Sequence, residues 1–445
     1  MQDTDRTVNV GLIGLGTVGG GVAKVIARHR DEYRKAYGID LRIKRACALD
    51  AERAAELGFT GDTFTQDWHD VVADPEIDIV VELIGGEHPA TEIFEAALTS
   101  GKHMVSANKA LLGRHVERLA RLAAEHGVQI RCEASAGGGI PIVNALEHAL
   151  VGNEILTVAG ILNGTTNYIL SRMDAEGLDF DEVLADAQRL GYAEADPTAD
   201  VDGFDAASKV AILSSIAFHT RVTTDDVFQE GIRNVSAADI AQARSMGYVV
   251  KLLGIARNTE SGVDVRVHPT MIPADHMLAG VNGAMNAVYV VGDAVGETMF
   301  YGAGAGSFPT ASAVVGDVLA LADAISHNER VQAEIEPFGR VLPLRSIDDL
   351  KTRYYIRLSV EDRVGALAPV VDVFAQHGIS ISQISQLQDD GEGHCSVVFM
   401  THKAAERDMA SARVDLEALD VVERVASVIR IEDVEAWTEG AEANE

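Results

Sequence analysis

Basic residues are scarce in this chain: 37 Lys and Arg stand against 68 Asp and Glu, a formal net charge of −31 at pH 7. Nucleic-acid and anionic-membrane surfaces need clustered Lys and Arg, so the sequence argues against nucleic acid and membrane as partners. Cysteine is nearly missing too. Cys47, Cys132 and Cys395 are the only 3 in 445 residues, too scattered for a disulfide framework or a zinc knuckle. That pattern fits a reducing compartment, and residues 1–6 carry no basic-then-apolar leader, so a cytoplasmic protein is expected. No run reads as long enough to span a membrane. The remainder, 47% hydrophobic and 24% charged, is ordinary for a globular chain of two or three domains.

The first strong pattern is Val8-Asn9-Val10-Gly11-Leu12-Ile13, a buried-strand run that meets Gly14-Leu15-Gly16-Thr17-Val18-Gly19 and then a helical pattern. Gly14, Gly16 and Gly19 in strand–turn–helix context predict a dinucleotide site, with Thr17 and Val18 inside the turn at a positive helix N-terminus. A second strand over 41–49 ends at Asp50. An acid there hydrogen-bonds a ribose 2′-hydroxyl and repels a 2′-phosphate, which tilts toward NAD, while Arg53 argues for NADP. Strands over 77–84, 103–106 and 128–133 alternate with helices over 89–99 and 111–125, the pattern of an open parallel sheet with helices on both faces. Gly85-Gly86 and Ser106-Ala107-Asn108-Lys109 fall just past strand ends, where ligands bind in such sheets. A lysine at a helix start is disfavoured by the helix dipole, which marks Lys109 as a candidate near cofactor and substrate.

A carboxylate-rich stretch follows. Glu194, Asp196, Asp200, Asp202 and Asp205 precede an apolar helical pattern carrying Lys209. An EF-hand register through Thr198, Asp200, Asp202 and Gly203 fails, because its twelfth position is Lys209 where a bidentate Glu is needed. Asp205 and Lys209 are four apart and share a helix face. The alternatives are a solvated acidic loop and a carboxylate pocket for a cationic substrate group, with Lys209 on its wall. In Glu133-Ala134-Ser135-Ala136-Gly137-Gly138-Gly139-Ile140-Pro141, three adjacent glycines suit either a hinge or a ring of carbonyls around a hard cation; spacing favours the hinge. A single helix is expected over 142–150.

Residues 327–350, with Pro337, Pro343 and mixed charge, read as a linker. Beyond it the order strand 354–360, helix to Gln376, strands 378–384 and 395–400, a helix near 409–416 and a strand near 425–431 is ferredoxin-like. This segment resembles an ACT domain, a module that often binds an amino acid, with Val364 in place of a frequent proline.

Taken in order, GLGTVG, SANKALL, EASAGGGIP, ILNGTTNYIL, GYAEADPTADVDGFDAASK and YGAGAGSFPTASAVVGD resemble the homoserine dehydrogenase family over residues 7–435. The resemblance implies reversible NAD(P)-dependent interconversion of L-aspartate 4-semialdehyde and L-homoserine. It implies substrate ammonium binding by Glu194, with Asp200 a further substrate contact and Asp205 a substrate-site acid that orients a lysine. Lys209 or Lys109 would carry the proton. Ser106, Gly191 and Gly306 would line the cofactor, and Glu133, Ala136, Gly138 and Ile140 would supply carbonyls to a sodium ion, against the hinge. Asp205 beside Lys209 is expected to raise the lysine's pKa. Leu49 stands where the family often has an arginine that meets the 2′-phosphate, which puts NADP preference in doubt, and Ala303 replaces an arginine common in the late glycine loop. The expected fold class is α/β: a Rossmann-type doubly wound sheet over 1–140 completed by 306–330, an α+β substrate and dimerisation domain over 141–305, a linker over 331–350, and an ACT domain over 351–435. The resemblance further implies a homodimer or homotetramer and a threonine effector. An amino-acid-sensing regulator on the same fold is the alternative function.

Overall fold

The computed structural model describes residues 6–327, 339–389 and 394–440; the predicted linker residues 331–338 lie outside them. Six parallel strands form the first sheet: β1 (Arg6–Ile13), β2 (Ile39–Cys47), β3 (Phe64–Thr65), β4 (Ile79–Glu82), β5 (His103–Ser106) and β6 (Ile130–Arg131). Their order is β3-β2-β1-β4-β5-β6, the doubly wound arrangement with its switch point between β1 and β4. Val8, Val10, Leu12, Ile79 and Val81 are fully buried, as expected for strands covered on both faces. The last strand is shorter than the sequence suggests, because Glu133–Ser135 turns into a 3-10 coil.

The second sheet collects β7 (Ile155–Ile161), β8 (Phe228–Gln229), β9 (Tyr248–Thr259), β10 (Gly262–Pro273), β11 (Met285–Gly292) and β12 (Gly296–Ala303). It continues into β13 (Lys351–Glu361), β14 (Ile381–Asp389), β15 (His394–Thr401), β16 (Ala404–Ala405) and β17 (Val422–Ile431). The main order is β12-β11-β7-β9-β10-β17-β13-β15-β14, so the ferredoxin-like C-terminal strands extend the substrate-domain sheet. The junction is slight in backbone terms: β10 and β17 pair only at Thr270 with Arg430 and Met271 with Ile431. Side chains make up the rest. Arg266, fully buried, donates to Glu432 at 2.8 and 3.0 Å and pairs with Asp264. Asp239, also fully buried, accepts from Arg357 (2.7 Å), Ser427 (2.9 Å) and Tyr355 (3.1 Å). Buried charges persist only when partnered in this way, so each such group locks one sheet half to the other.

Three expectations change here. Residues 142–150 form one α-turn, Ile142–Asn144, and then a π-helical turn, Ala145–Ala149. The described end of the predicted linker is held: Pro343 accepts from the Val263 N–H at 2.8 Å, and Arg345 N–H donates to Val263 at 2.9 Å. The helix Ser307–His327 is, by length and composition, long and apolar enough to cross a membrane, contrary to the expectation that no run is. Its apolar stripe, Ala311, Val314, Val315, Val318 and Leu321, is buried with Val8, Val10 and Val22 of the first sheet and its covering helix. Gly21 permits that crossing, since a Cβ there would stand 2.7 Å from the Ser307 carbonyl.

After β17 the chain turns back across the substrate-domain sheet. Trp437, 1% exposed, packs against Tyr289 and His276, donates to Glu432 at 3.0 Å, and its carbonyl accepts from Thr157 at 3.0 Å. Trp437→Ala should cost about 3–5 kcal/mol; urea unfolding of the full chain checks this, and a midpoint like that of the parent protein would deny the tail a structural role.

Candidate active site

The nucleotide end of the cleft is built from β1 and the helix Thr17–Tyr37. Gly14 sits at φ +101°, and a Cβ on Gly19 would lie 1.9 Å from the Gly14 carbonyl, so the turn closes only with glycine at both. A cavity of about 500 Å3 opens here, lined by Gly14, Gly16, Thr17, Leu49, Asp50 and Arg53. Val18 and Gly19 follow in the first turn of the helix. Asp50 caps the next helix, Ala51–Glu56, by accepting from Arg53 N–H at 2.9 Å. The Arg53 guanidinium reaches Glu56 at 2.9 Å. Gly306 is brought to this loop from far along the chain: its neighbour Ser307 donates to the Thr17 carbonyl at 2.8 Å.

Past β4 and β5 the first sheet presents a second constellation. Glu82, fully buried, accepts from Ile84 N–H (2.8 Å), Gly85 N–H (3.2 Å) and Ser106 Oγ (2.9 Å). Ser106 in turn receives Asn108 N–H at 3.0 Å, and Asn108 caps the helix Lys109–His126 through Leu111 N–H at 3.2 Å. Ser106 therefore faces inward, and its contribution is to shape the turn that presents Lys109.

Lys109 meets the substrate domain at Asp205. That carboxylate, 8% exposed, binds Lys109 through Oδ1 and Lys209 Nζ through Oδ2 at 2.8 Å. Asn163 Nδ2 donates to Asp205 at 3.0 Å and to Asp200 at 2.6 Å, while Asn163 Oδ1 caps the helix Gly164–Glu176 at Thr166 N–H. Lys209 is buried and also donates to the Leu162 carbonyl at 2.7 Å. Burial alone would push the Asp205 carboxyl up; the two lysines outweigh it and hold the group well below the usual carboxylate range. For Lys209 burial wins. Its pKa falls below the ordinary lysine value although Asp205 opposes the fall, which reverses the expected upward shift. Lys109 is more open, with 45% of its side chain exposed.

The remaining predicted positions are less tightly joined. Glu194 and Gly191 lie on the exposed turn after the helix Phe180–Leu190, with Gly191 at φ +80°. Gln188 donates to the Glu194 carbonyl at 3.0 Å, and no hydrogen bond among the described residues ties the Glu194 carboxylate to the lysines. In the glycine elbow, Ala136 and Ile140 are buried and Gly138, at φ +60°, packs on the Gly304 carbonyl. The Glu133 carboxylate accepts Val143 N–H (2.9 Å), Asn144 N–H (2.8 Å) and Asn144 Nδ2 (2.7 Å), and burial still raises its pKa.

Glu82 and Asn163 were not singled out in the sequence. The available signals were a charged residue inside the apolar run Ile79-Val80-Val81-Glu82-Leu83-Ile84, and an asparagine placed to cap the helix Gly164–Glu176.

Family models agree with this arrangement. Residues 14–133 match "Homoserine dehydrogenase, NAD binding domain", residues 141–319 match "Homoserine dehydrogenase", and residues 354–421 match "ACT domain". A homoserine dehydrogenase of Synechocystis is 44% identical over 434 residues, covering 96% of this chain and 99% of its own. The crystal structure of a homoserine dehydrogenase from Thiobacillus denitrificans is 44% identical with a TM-score of 0.91, covering 96% of this chain and 99% of that one. A hyperthermophilic archaeal homoserine dehydrogenase solved in complex with NADPH is 27% identical with a TM-score of 0.61, over 71% of this chain and 97% of that one. With relatives this similar across nearly the full length and every domain matched in order, the chain belongs to the homoserine dehydrogenase family: it is an oxidoreductase of amino-acid biosynthesis with an NAD(P)-binding Rossmann domain and a C-terminal ACT domain.

Proposed function

We propose that Asp205, Lys209, Lys109, Asn163 and Asp200 form the acid–base and substrate wall for interconverting L-homoserine and L-aspartate 4-semialdehyde. The observation that carries it is the buried Asp205 shared between a buried lysine and a cleft-facing one. When bound, the nicotinamide accepts or supplies the hydride at the substrate carbon. The chain supplies the proton at the substrate oxygen. Lys209 is suited to this role, because Asp205 and Leu162 fix its ammonium and burial lowers its pKa toward the working range. Lys109, at the open side of the same carboxylate, attracts developing negative charge and completes the wall. Asp200, oriented by Asn163, and Glu194, on the facing turn, receive the substrate ammonium.

Asp50 supports a preference for NAD, its carboxylate standing at the end of β2 beside an exposed Leu49. NADPH in the archaeal relative and the nearby Arg53 keep NADP within the cofactor class. For sodium, the Glu133 carboxylate is occupied by N–H donors, so the donor set would be the main-chain carbonyls of Glu133, Ala136, Gly138 and Ile140, of which Ile140 also accepts Ile142 N–H at 2.8 Å through one of its two lone pairs. The ACT domain suggests an amino-acid effector, for which we take threonine, the end product of one branch. A homodimer or homotetramer and a cytoplasmic location complete the proposal; the outer strands β12 and β14 of the second sheet leave room for assembly.

Lys209→Met should lower turnover by about 10²–10⁴-fold, the range of a lost general acid–base group; Lys109→Met should lose less. Turnover of Lys209→Met within a few-fold of the parent would remove it from the mechanism. In the reductive direction a protonated lysine is required, so the rate should fall as pH rises through a pKa below the ordinary lysine value, and the limb should vanish in Lys209→Met. Homoserine oxidation measured with NAD and NADP side by side, with and without millimolar threonine, tests both cofactor and effector. Asp50→Asn should shift the NAD-to-NADP ratio of kcat/KM about tenfold toward NADP, the factor for ~1.4 kcal/mol; an unchanged ratio would clear Asp50 of that role. Replacing sodium by choline should lower the thermal midpoint, and an identical midpoint would speak against the cation site.

A further inference from the structure

The substrate turn 198–203 carries Asp200 and leads into the helix of Asp205 and Lys209. It is held by a short splint, residues 230–233, that follows β8. Glu230 N–H donates to the Val267 carbonyl of β10 at 2.8 Å, so the splint starts on the substrate-domain sheet. Ile232 N–H then donates to the Val201 carbonyl at 2.8 Å. Arg233 forks onto the Asp202 carboxylate at 2.6 and 3.1 Å, a bidentate pair. Gly231 passes so close that a Cβ there would lie 2.2 Å from the Val201 carbonyl and 2.4 Å from Asp202 Cα. The very next residue, Gly203, caps the helix Phe204–Phe218 that carries Asp205 and Lys209. The splint therefore grips the chain immediately before the first turn of the helix that carries Asp205, while Asn163 and the two lysines hold Asp205 itself.

At Glu230 the splint also meets the ACT domain. Arg430 of β17, 6% exposed, donates Nη1 to Glu230 at 2.7 Å and Nε to Glu406 at 2.9 Å. Its guanidinium also lies 5.0 Å from the Phe228 ring centroid, in β8. Glu406 is fixed by Tyr354 Oη at 2.7 Å, within the ACT core. Backbone pairing between β10 and β17 covers just two residue pairs, one of them Thr270 with Arg430, so side chains carry much of the register between the domains. A cavity of about 110 Å3 lies beside the splint, between Glu230 and Gly231 on one side and residues 426–429 on the other, so packing does not brace that side.

We infer that Arg430 is a positioning residue of the active site: by holding Glu230 it sets the splint 230–233, and through Val201 and Asp202 the placement of Asp205. It touches neither substrate nor cofactor. The same contacts give the ACT domain a direct mechanical line to the substrate wall. The splint's hydrogen bonds named here run to the substrate and ACT domains, so a displacement of β17 alters substrate affinity before it alters the nucleotide cleft. This rests on the assignment of the wall to Asp205 and Lys209.

Glu230→Ala is the variant of choice, because it removes the acceptor of Arg430 Nη1, which glutamine would keep, while Arg430 retains Glu406. Steady-state homoserine oxidation should show KM for L-homoserine raised about three- to tenfold, a span typical of mutations along a coupling path, with KM for the dinucleotide and the thermal midpoint unchanged. Arg233→Gln, at the other end of the splint, should move the same constant in the same direction, and Arg233→Lys should recover part of it. In the double variant the two effects should be less than additive, since both act through one segment. Parental homoserine KM in a folded, active Glu230→Ala enzyme would overturn the inference while leaving the dehydrogenase assignment intact. Equal increases in both KM values would overturn it as well, since they indicate a general loosening.

Discussion

Asp205 is the group on which the site depends. A carboxylate buried to this degree is costly unless paired, and here it is paired twice, by lysines that come from different parts of the chain. Lys209 is four residues along the same helix, whereas Lys109 starts a helix of the Rossmann domain. One side chain thus fastens the nucleotide-binding sheet to the substrate domain. Remove the carboxylate and two cations face each other across the cleft, one of them buried.

The supporting residues follow the same logic at greater distance. Glu82 gathers the loops after β4 and β5 so that Lys109 emerges at a defined angle. Asn163 spans Asp200 and Asp205 while capping its own helix, so substrate-domain packing and site geometry share one side chain. Farther out, the buried Arg266 and Arg430 and the partly buried Arg357 join the ACT strands to the substrate domain with charge pairs where the backbone ladder is short. The chain is acidic overall, and these few cations are placed inside it, at junctions.

Lys209 illustrates how burial and pairing compete. Proximity to Asp205 favours the ammonium, yet desolvation is the larger effect and the net shift is downward. A spacing of four on a helix announces the pair but says nothing of depth. Ser106 is similar: its place at a strand end is read from sequence, but the hydrogen bond it gives to Glu82 is not.

Local patterns in the sequence were enough for the parallel sheet, the glycine turn at Gly14 and Gly19, the ferredoxin-like C-terminal order, and the sharing of a helix face by Asp205 and Lys209. These are short-range properties: strand and helix periods, steric room at a turn, and four-residue spacing on a helix. Family resemblance added the roles proposed for Lys109 and for the acids in the 191–209 stretch. The return of residues 306–327 to the Rossmann domain was already expected, whereas tertiary structure alone decided that Lys109 meets Asp205 and that β17 continues the substrate sheet and reaches Glu230. Such contacts are set by the packing of whole elements against one another, and no local spacing encodes them.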